Sequence, residues 1–401
     1  MVLYANRIAL LLVVLGLSQS WAQAGPPELN ADFELGISAG VAPLTLLDLD
    51  TGARCLDGTP YGFYFVPSKT NSKLWTIDIQ GGGWCYNETL CYERSLTRLG
   101  SSKFFPKQSS CGCVNVESGQ IASDCNCIYM PYGDGASFSG LREEPWPAPG
   151  NKKLYFRGWK NLEATLDYAF QKLGMNNARQ VVLTGGSAGG LSTFLHADYV
   201  AARVSKEAPM AFTKAMPVVG YFLDHQNFAG TSQSYPNWMK YIYHMQNLKI
   251  PALTSDCLEK FPSTPYFCFM SPHMNTFIKT PFYMLNSKYD QWQMDNILQV
   301  ECIREKKSCS VAEKKAILAY GESFLSDFEP VMQNHKNGAM ITSCICHGCN
   351  WKNISLNGKD TFSHYIDWFE NHSGDHFTID PRGPNGDGQM DLKASNCQAL
   401  L

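Results

Sequence analysis

Gln180-Val181-Val182-Leu183-Thr184-Gly185-Gly186-Ser187-Ala188-Gly189-Gly190-Leu191 sets a short apolar, β-branched run ahead of a glycine-rich turn. The run is the length of a buried strand rather than of a helix. From Leu191 to Val204 the pattern turns helical. The order is therefore strand, tight turn, helix. Within the turn, Gly185-Gly186-Ser187-Ala188-Gly189 matches G-x-S-x-G, whose glycines permit a strained backbone that presents a serine hydroxyl at the top of a sheet. The same turn could cradle a phosphate at the helix N-terminus. Against that, it lacks the P-loop lysine, and no acidic residue stands at dinucleotide spacing in a clear βαβ context.

Outward from this unit, short apolar segments alternate with helical patterns, which predicts an α/β fold with a mostly parallel sheet flanked by helices. Leu74-Trp75-Thr76-Ile77-Asp78-Ile79 reads as a strand running into Gly81-Gly82-Gly83. The spacing of Leu162, Leu166, Ala169, Phe170 and Leu173 predicts a helix from Trp159 to near Gly174. Pro281 to Asn286 reads as a strand leading to Asp290, and Ala339 to Ser343 as one leading to His347. Functional groups collect at the carboxyl ends of strands in open parallel sheets, so Ser187, Asp290 and His347 are expected to converge.

These residue types suit acyl transfer. Ser187 is the candidate nucleophile, His347 the base that takes its proton, and Asp290 the group that orients the imidazole and stabilises its charge. The chain order Ser, Asp, His is that of α/β-hydrolases. The run Gly81-Gly82-Gly83-Trp84 after the early strand, with the amide of Ala188 after the nucleophile, can supply the oxyanion donors. His196, His225, His244 and His273 precede Asp290 and break that order. His335, His364, His372 and His376 follow it and remain rivals for the base, although His335 sits in a polar stretch and His372 overlaps a sequon. Asp224 and Asp295 remain rivals for the acid.

The chain has 401 residues, enough for one large domain with loop insertions, and no internal repeat or low-complexity linker. Arg7, the apolar run Ile8 to Gly16 and the small-x-small pattern Ala22-Gln23-Ala24 read as a signal peptide over residues 1–24, with the α/β-hydrolase domain spanning 25–401. The apolar run is shorter than a membrane span, no other segment reaches spanning length, and stable membrane insertion is not expected. A net charge of -3 gives no footprint for nucleic acid. Fifteen cysteines in a secretory chain predict several disulfides, with Cys85 and Cys91 a local pair. The odd count leaves at least one thiol outside an internal pair. Cys111-x-Cys113, Cys125-x-Cys127 and Cys344-x-Cys346-x-x-Cys349 lack zinc-ribbon spacing, so no metal site is expected. Sequons stand at Asn87, Asn353 and Asn371.

Several ordered segments resemble the pectin acetylesterase family, which also contains the animal Notum carboxylesterases. They are Gly81-Gly82-Gly83-Trp84-Cys85 with Cys91, Asp134-Gly135-Ala136-Ser137-Phe138-Ser139-Gly140, Tyr155-Phe156-Arg157-Gly158, Gly186 to Leu191, Gly220 to Asp224, Tyr289-Asp290-x-Trp292-Gln293, Ser343-Cys344-x-x-His347 and Asp367-Trp368-Phe369. The resemblance implies a secreted serine esterase acting on a glycan or glycan-like ester without a cofactor. It places Ser187, Asp290 and His347 in the triad, and Gly83, Trp84 and Ala188 at the oxyanion hole. The chain departs from the family pattern at Gln80, usually Glu; at Gly133 and Gly186, Cys in plant members; and at Val218, Asp in plant members. Gly348 intervenes between His347 and Cys349, and the stretch from Phe377 to Gly388 lacks the plant ending and receives no functional reading.

Within the family, plant-like members take acetyl from pectin, whereas Notum removes a long unsaturated acyl chain from a protein. The Gly-Gly-Gly-Trp-Cys and Asp-Gly-Ala-Ser-Phe motifs favour an acetylated polysaccharide as substrate. The alternatives are a Notum-like lipid deacylase, a catalytically inactive secreted binding protein, and an acyl transferase using the same nucleophile.

Overall fold

The computed structural model describes residues 40–114, 121–248, 254–371 and 374–386. The expected signal peptide lies outside them. Among the described residues the main sheet has ten strands: β1 (Gly40–Leu46), β2 (Gly62–Val66), β3 (Leu74–Ile79), β4 (Gln108–Cys111), β5 (Asn126–Met130), β6 (Gln180–Gly186), β7 (Phe212–Val218), β8 (Tyr283–Ser287), β9 (Gly338–Thr342) and β10 (Phe377–Ile379). Their order is β10-β9-β8-β7-β6-β3-β5-β2-β1-β4. The seven strands from β10 to β5 pair in parallel, and β2, β1 and β4 complete one edge in antiparallel register.

Strand β6 is buried along almost its whole length, as are β8 and β9. That explains their near-continuous apolar sequences, because a central parallel strand is covered on both faces. The α/β architecture, the four strands expected from the sequence and both helices are present. Helix α2 (Gly158–Lys172) follows α1 (Glu88–Ser95), and α3 (Ala188–Glu207) starts directly from the serine turn. Leu162, Leu166, Ala169 and Phe170 of α2 are all buried, as their helical spacing requires. Leu191, Phe194 and Leu195 of α3 join Ile77, Ile79, Val181 and Leu183 in the principal core. Each such side chain contributes on the order of 1.5–3 kcal/mol through its removal from water. The start of α3 presses into the ends of two strands: a Cβ at Gly189 would lie 2.1 Å from the Ile79 carbonyl oxygen, and one at Gly190 2.4 Å from that of Val218. Only glycines allow this approach, which carries Ser187 to the sheet's rim.

Cysteines pair as Cys85–Cys91, Cys111–Cys127, Cys113–Cys125, Cys257–Cys268, Cys302–Cys309 and Cys346–Cys349. The two C-x-C motifs thus cross-link β4 to β5 instead of binding zinc. Cys344 is also disulfide-bonded, and Cys55 is the free cysteine among the described residues. Burial pushes the Cys55 thiol up to about 12, so it stays neutral and unreactive.

Cys55 faces a position where the family pattern differs. A Cβ built at Gly133 would stand 3.0 Å from the Cys55 sulfur. This is close to the separation that an S–S bond near 2.05 Å imposes, about 3 Å. Gly133→Cys is therefore expected to form a disulfide with Cys55 and to raise stability by about 2–4 kcal/mol. Peptide mapping of unreduced protein and the denaturant midpoint check this; a Cys55 that remains alkylatable after unfolding would contradict it.

Candidate active site

Ser187, the N-cap of α3 just after β6, has φ 59° and ψ −124°, a conformation that costs a non-glycine residue about 1–3 kcal/mol. The strain is held from both sides. The Ser187 amide donates to the Val218 carbonyl at 2.9 Å, and Gly81 packs so closely that a Cβ there would lie 2.3 Å from the Gly186 carbonyl oxygen. The turn lifts the serine hydroxyl clear of the sheet.

His347 follows β9 in a loop closed by the Cys346–Cys349 disulfide. Its Nε2 lies 2.8 Å from the Ser187 Oγ, and its Nδ1 lies 2.7 Å from Asp290 Oδ2. Asp290, after β8, is fully buried, and its second oxygen accepts the Gln293 amide at 3.0 Å. Gln293 in turn bonds the backbone of Tyr221 and Leu223 and the hydroxyl of Tyr320, which ties the carboxylate's turn to its neighbours. The structure therefore brings together the three side chains that were expected to converge. Such an array can pass a proton from a hydroxyl to an imidazole while a carboxylate fixes the tautomer.

The rivals stand elsewhere. His335 is exposed beyond the helix α5 (Val311–Met332), which follows α4 (Ser234–Met245), and His364 bonds the Leu356 carbonyl. His376 packs beside Gly338, and His372 lies outside the described residues. Asp224 pairs with His273 at 2.9 Å. Burial raises the half-buried Asp295 carboxyl, and among the described residues its Oδ1 has no hydrogen-bond partner.

Gly83, at φ 66°, and Trp84 follow β3 in the glycine loop. Among the described residues the amides of Gly83, Trp84 and Ala188 are not spent on backbone carbonyls outside regular elements. Arg94 orients the glycine loop by donating to the Gly82 carbonyl at 2.8 Å and the Trp84 carbonyl at 3.3 Å. Arg94 escaped the sequence reading, since an isolated arginine on a short helix carries no signal.

Two more supports were missed. The stretch after Phe377 braces the histidine loop: Ser343 donates to Asp380 at 2.6 Å, the Ile345 amide donates to Asn385 at 2.9 Å, and the Asn385 amide donates to the Ser343 carbonyl at 2.7 Å. Burial acts to raise the Asp380 carboxyl, but hydrogen bonds from Arg382 and Ser343 outweigh it and hold the group below its ordinary value. The polar residues after β10 had no legible role because their partners lie some forty positions away.

Aromatic rings wall the site. Trp84 meets Phe222 at 5.0 Å, Trp292 at 5.5 Å and Tyr235 at 5.6 Å between ring centroids. Phe222 and Trp292 flank the His347 ring at 6.2 and 6.4 Å. A cleft of about 350 Å³ is lined by Asp78, Gln80, Tyr129, Gly186, Ser187 and Val218 among others. Three of the departures from the family pattern, Gln80, Gly186 and Val218, meet in this one place. Of these, only Gly186 is smaller than its plant counterpart; Gln80 and Val218 replace carboxylates with uncharged side chains of comparable size.

A family model described as pectinacetylesterase matches residues 37–386. Pectin acetylesterase 7 of Arabidopsis thaliana is 30% identical over 333 residues, covering 78% of this chain and 81% of the relative. The palmitoleoyl-protein carboxylesterase Notum of Schmidtea mediterranea is 26% identical over 330 residues, covering 77% of this chain and 59% of the relative. Among solved structures, the Drosophila Wnt deacylase Notum superposes with a TM-score of 0.74 at 21% identity, over 86% of this chain and 98% of that one. That likeness establishes the shared α/β fold. By the family match over most of its length, the chain belongs to the pectinacetylesterase family and is a carboxylic ester hydrolase.

Proposed function

We propose that this enzyme hydrolyses acetyl esters of pectin or a similar polysaccharide through an acyl-enzyme on Ser187. The observation that carries the reading is the continuous chain Ser187–His347–Asp290 at 2.8 and 2.7 Å. His347 takes the hydroxyl proton as Ser187 Oγ attacks the ester carbonyl, and Asp290 stabilises the imidazolium. The amides of Gly83, Trp84 and Ala188 receive the oxyanion. Collapse of the tetrahedral intermediate breaks the ester C–O bond, and His347 returns its proton to the departing sugar alcohol. Water, deprotonated by the same imidazole, then attacks the acyl carbonyl; the Ser187 Oγ–acyl bond breaks, the imidazolium returns its proton to Ser187 Oγ, and the acid leaves and ionises to a carboxylate. These steps call on no metal or organic cofactor.

One observation supports a short acyl group: the plant relatives are more similar in sequence than the Notum relatives. A secretory route, with residues 1–24 as leader and 25–401 as the mature domain, fits the disulfide content. Among the described residues no helix is long and apolar enough to cross a membrane.

The test is the rate on aryl esters from acetyl to long acyl chains, beside acetate release from acetylated pectin. Activity concentrated on acetyl and released acetate are expected. A preference for long chains would move the assignment to a lipid deacylase, and activity on neither would favour a binding protein.

A further inference from the structure

The segment Asp134–Gly140 stands out in the sequence but supplies none of the reacting groups. We propose that Ser137 is a positioning residue that locks the two walls of the oxyanion hole together, an inference that rests on the hydrolytic reading above. Its hydroxyl accepts the Trp84 indole N–H at 2.9 Å and donates to the Ala188 carbonyl at 2.8 Å. A single buried hydroxyl thus bonds two of the three residues whose amides are assigned to the oxyanion, one from each wall. Both of its hydrogen-bonding roles are used, so it fixes the walls' relative position and not one wall alone.

The backbone around Ser137 is built for this purpose. Ser137 and Phe138 both lie in the left-handed region, at φ 51° and 59°, where side-chain-bearing residues persist only if their surroundings over-determine them. Four groups do so. Asp134 Oδ2 accepts the amides of Ala136 and Phe138 at 3.2 and 2.8 Å. The Ser137 amide donates to the Tyr132 hydroxyl at 2.9 Å. His196 Nε2 lies 2.9 Å from the Ser137 carbonyl, and the Trp159 amide donates to the Gly140 carbonyl at 3.0 Å. Burial pushes His196 down to about 4, so at neutral pH it is an uncharged donor to that carbonyl. Gly158 admits the Asp134 carboxylate, which a Cβ there would meet at 2.2 Å. A strained turn held by this many buried bonds, ending in one hydroxyl between two oxyanion walls, is what preorganisation of a charge-stabilising site requires.

The experiment compares Ser137→Ala and Trp84→Phe, singly and combined, with wild-type and Ser187→Ala protein. Trp84→Phe keeps a ring but deletes the donor to Ser137. Each single variant is expected to lower kcat on an acetyl aryl ester by about 10–100-fold with KM changed by less than about threefold. Affinity for an alkyl boronate, which mimics the tetrahedral intermediate, should fall in step with kcat. The double variant should lose little beyond the worse single one, because both changes break one linkage. A folded Ser137→Ala enzyme with wild-type kcat and boronate affinity would overturn the proposal, as would losses in the two singles that multiply. Should Ser137→Ala not fold, Trp84→Phe carries the test by the same kcat and boronate criteria. Activity retained by Ser187→Ala would instead overturn the underlying hydrolytic reading, so the two failures are distinguishable.

Discussion

Ser187→Ala is expected to lower ester hydrolysis by about 10⁴–10⁶-fold while leaving the fold intact. The loss follows from removal of the hydroxyl that, in the proposed mechanism, attacks the ester carbonyl. The fold survives because the turn is held by the Ser187 amide on the Val218 carbonyl and by the glycine contacts, none of which uses the hydroxyl. Backbone strain gives a second, independent readout. Alanine at φ 59° and ψ −124° keeps the strain, whereas glycine relieves it. Ser187→Gly is therefore expected to be as inactive as Ser187→Ala yet more stable by about 1 kcal/mol. Initial rates and urea midpoints of the two variants check both statements. A stable, active Ser187→Ala protein would remove Ser187 from the chemistry.

His347→Ala should cost about 10⁴-fold in kcat, since the serine then lacks a base and the leaving alcohol an acid. His335→Ala should leave the rate within about twofold, because that side chain is exposed in the turn before β9. The comparison is sharper than either variant alone: both histidines follow Asp290 in the chain, and both flank the same strand. Melting curves should show His347→Ala folded, given that the Cys346–Cys349 disulfide and the Ser343 and Ile345 bonds to Asp380 and Asn385 hold the loop without the imidazole. Parallel losses in the two variants, or loss in His335→Ala alone, would mean that the base is another histidine.

The α/β architecture was legible because its central strands are buried on both faces and so read as short apolar runs with helices between them. The serine turn was legible because its glycines form a compact run, even though their tight contacts include the ends of β3 and β7. Asp290 and His347 were readable as polar residues after predicted strands, and the parallel sheet brings them to the same edge as Ser187. What stayed hidden was the scaffold around them. Ser137 acts through Trp84 and Ala188, Arg94 through carbonyls of the glycine loop, and Asp380 and Asn385 through a loop forty residues earlier. Each is a hydrogen bond between segments distant in sequence, so no periodicity or spacing announces it. The cysteine pairing belongs to the same class: the two C-x-C motifs cross-link because the fold brings β4 and β5 together, although they are not sheet neighbours.

The central claim is that Ser187 carries the acyl group. Wild-type protein mixed with an activated acetyl ester and quenched in acid within the first turnovers tests it, with peptide mass mapping of the adduct. The account predicts an acetyl group on the peptide containing Ser187, lost over time in wild type and absent from Ser187→Ala. Turnover with acetyl on another residue, or unchanged turnover in Ser187→Ala, would contradict it.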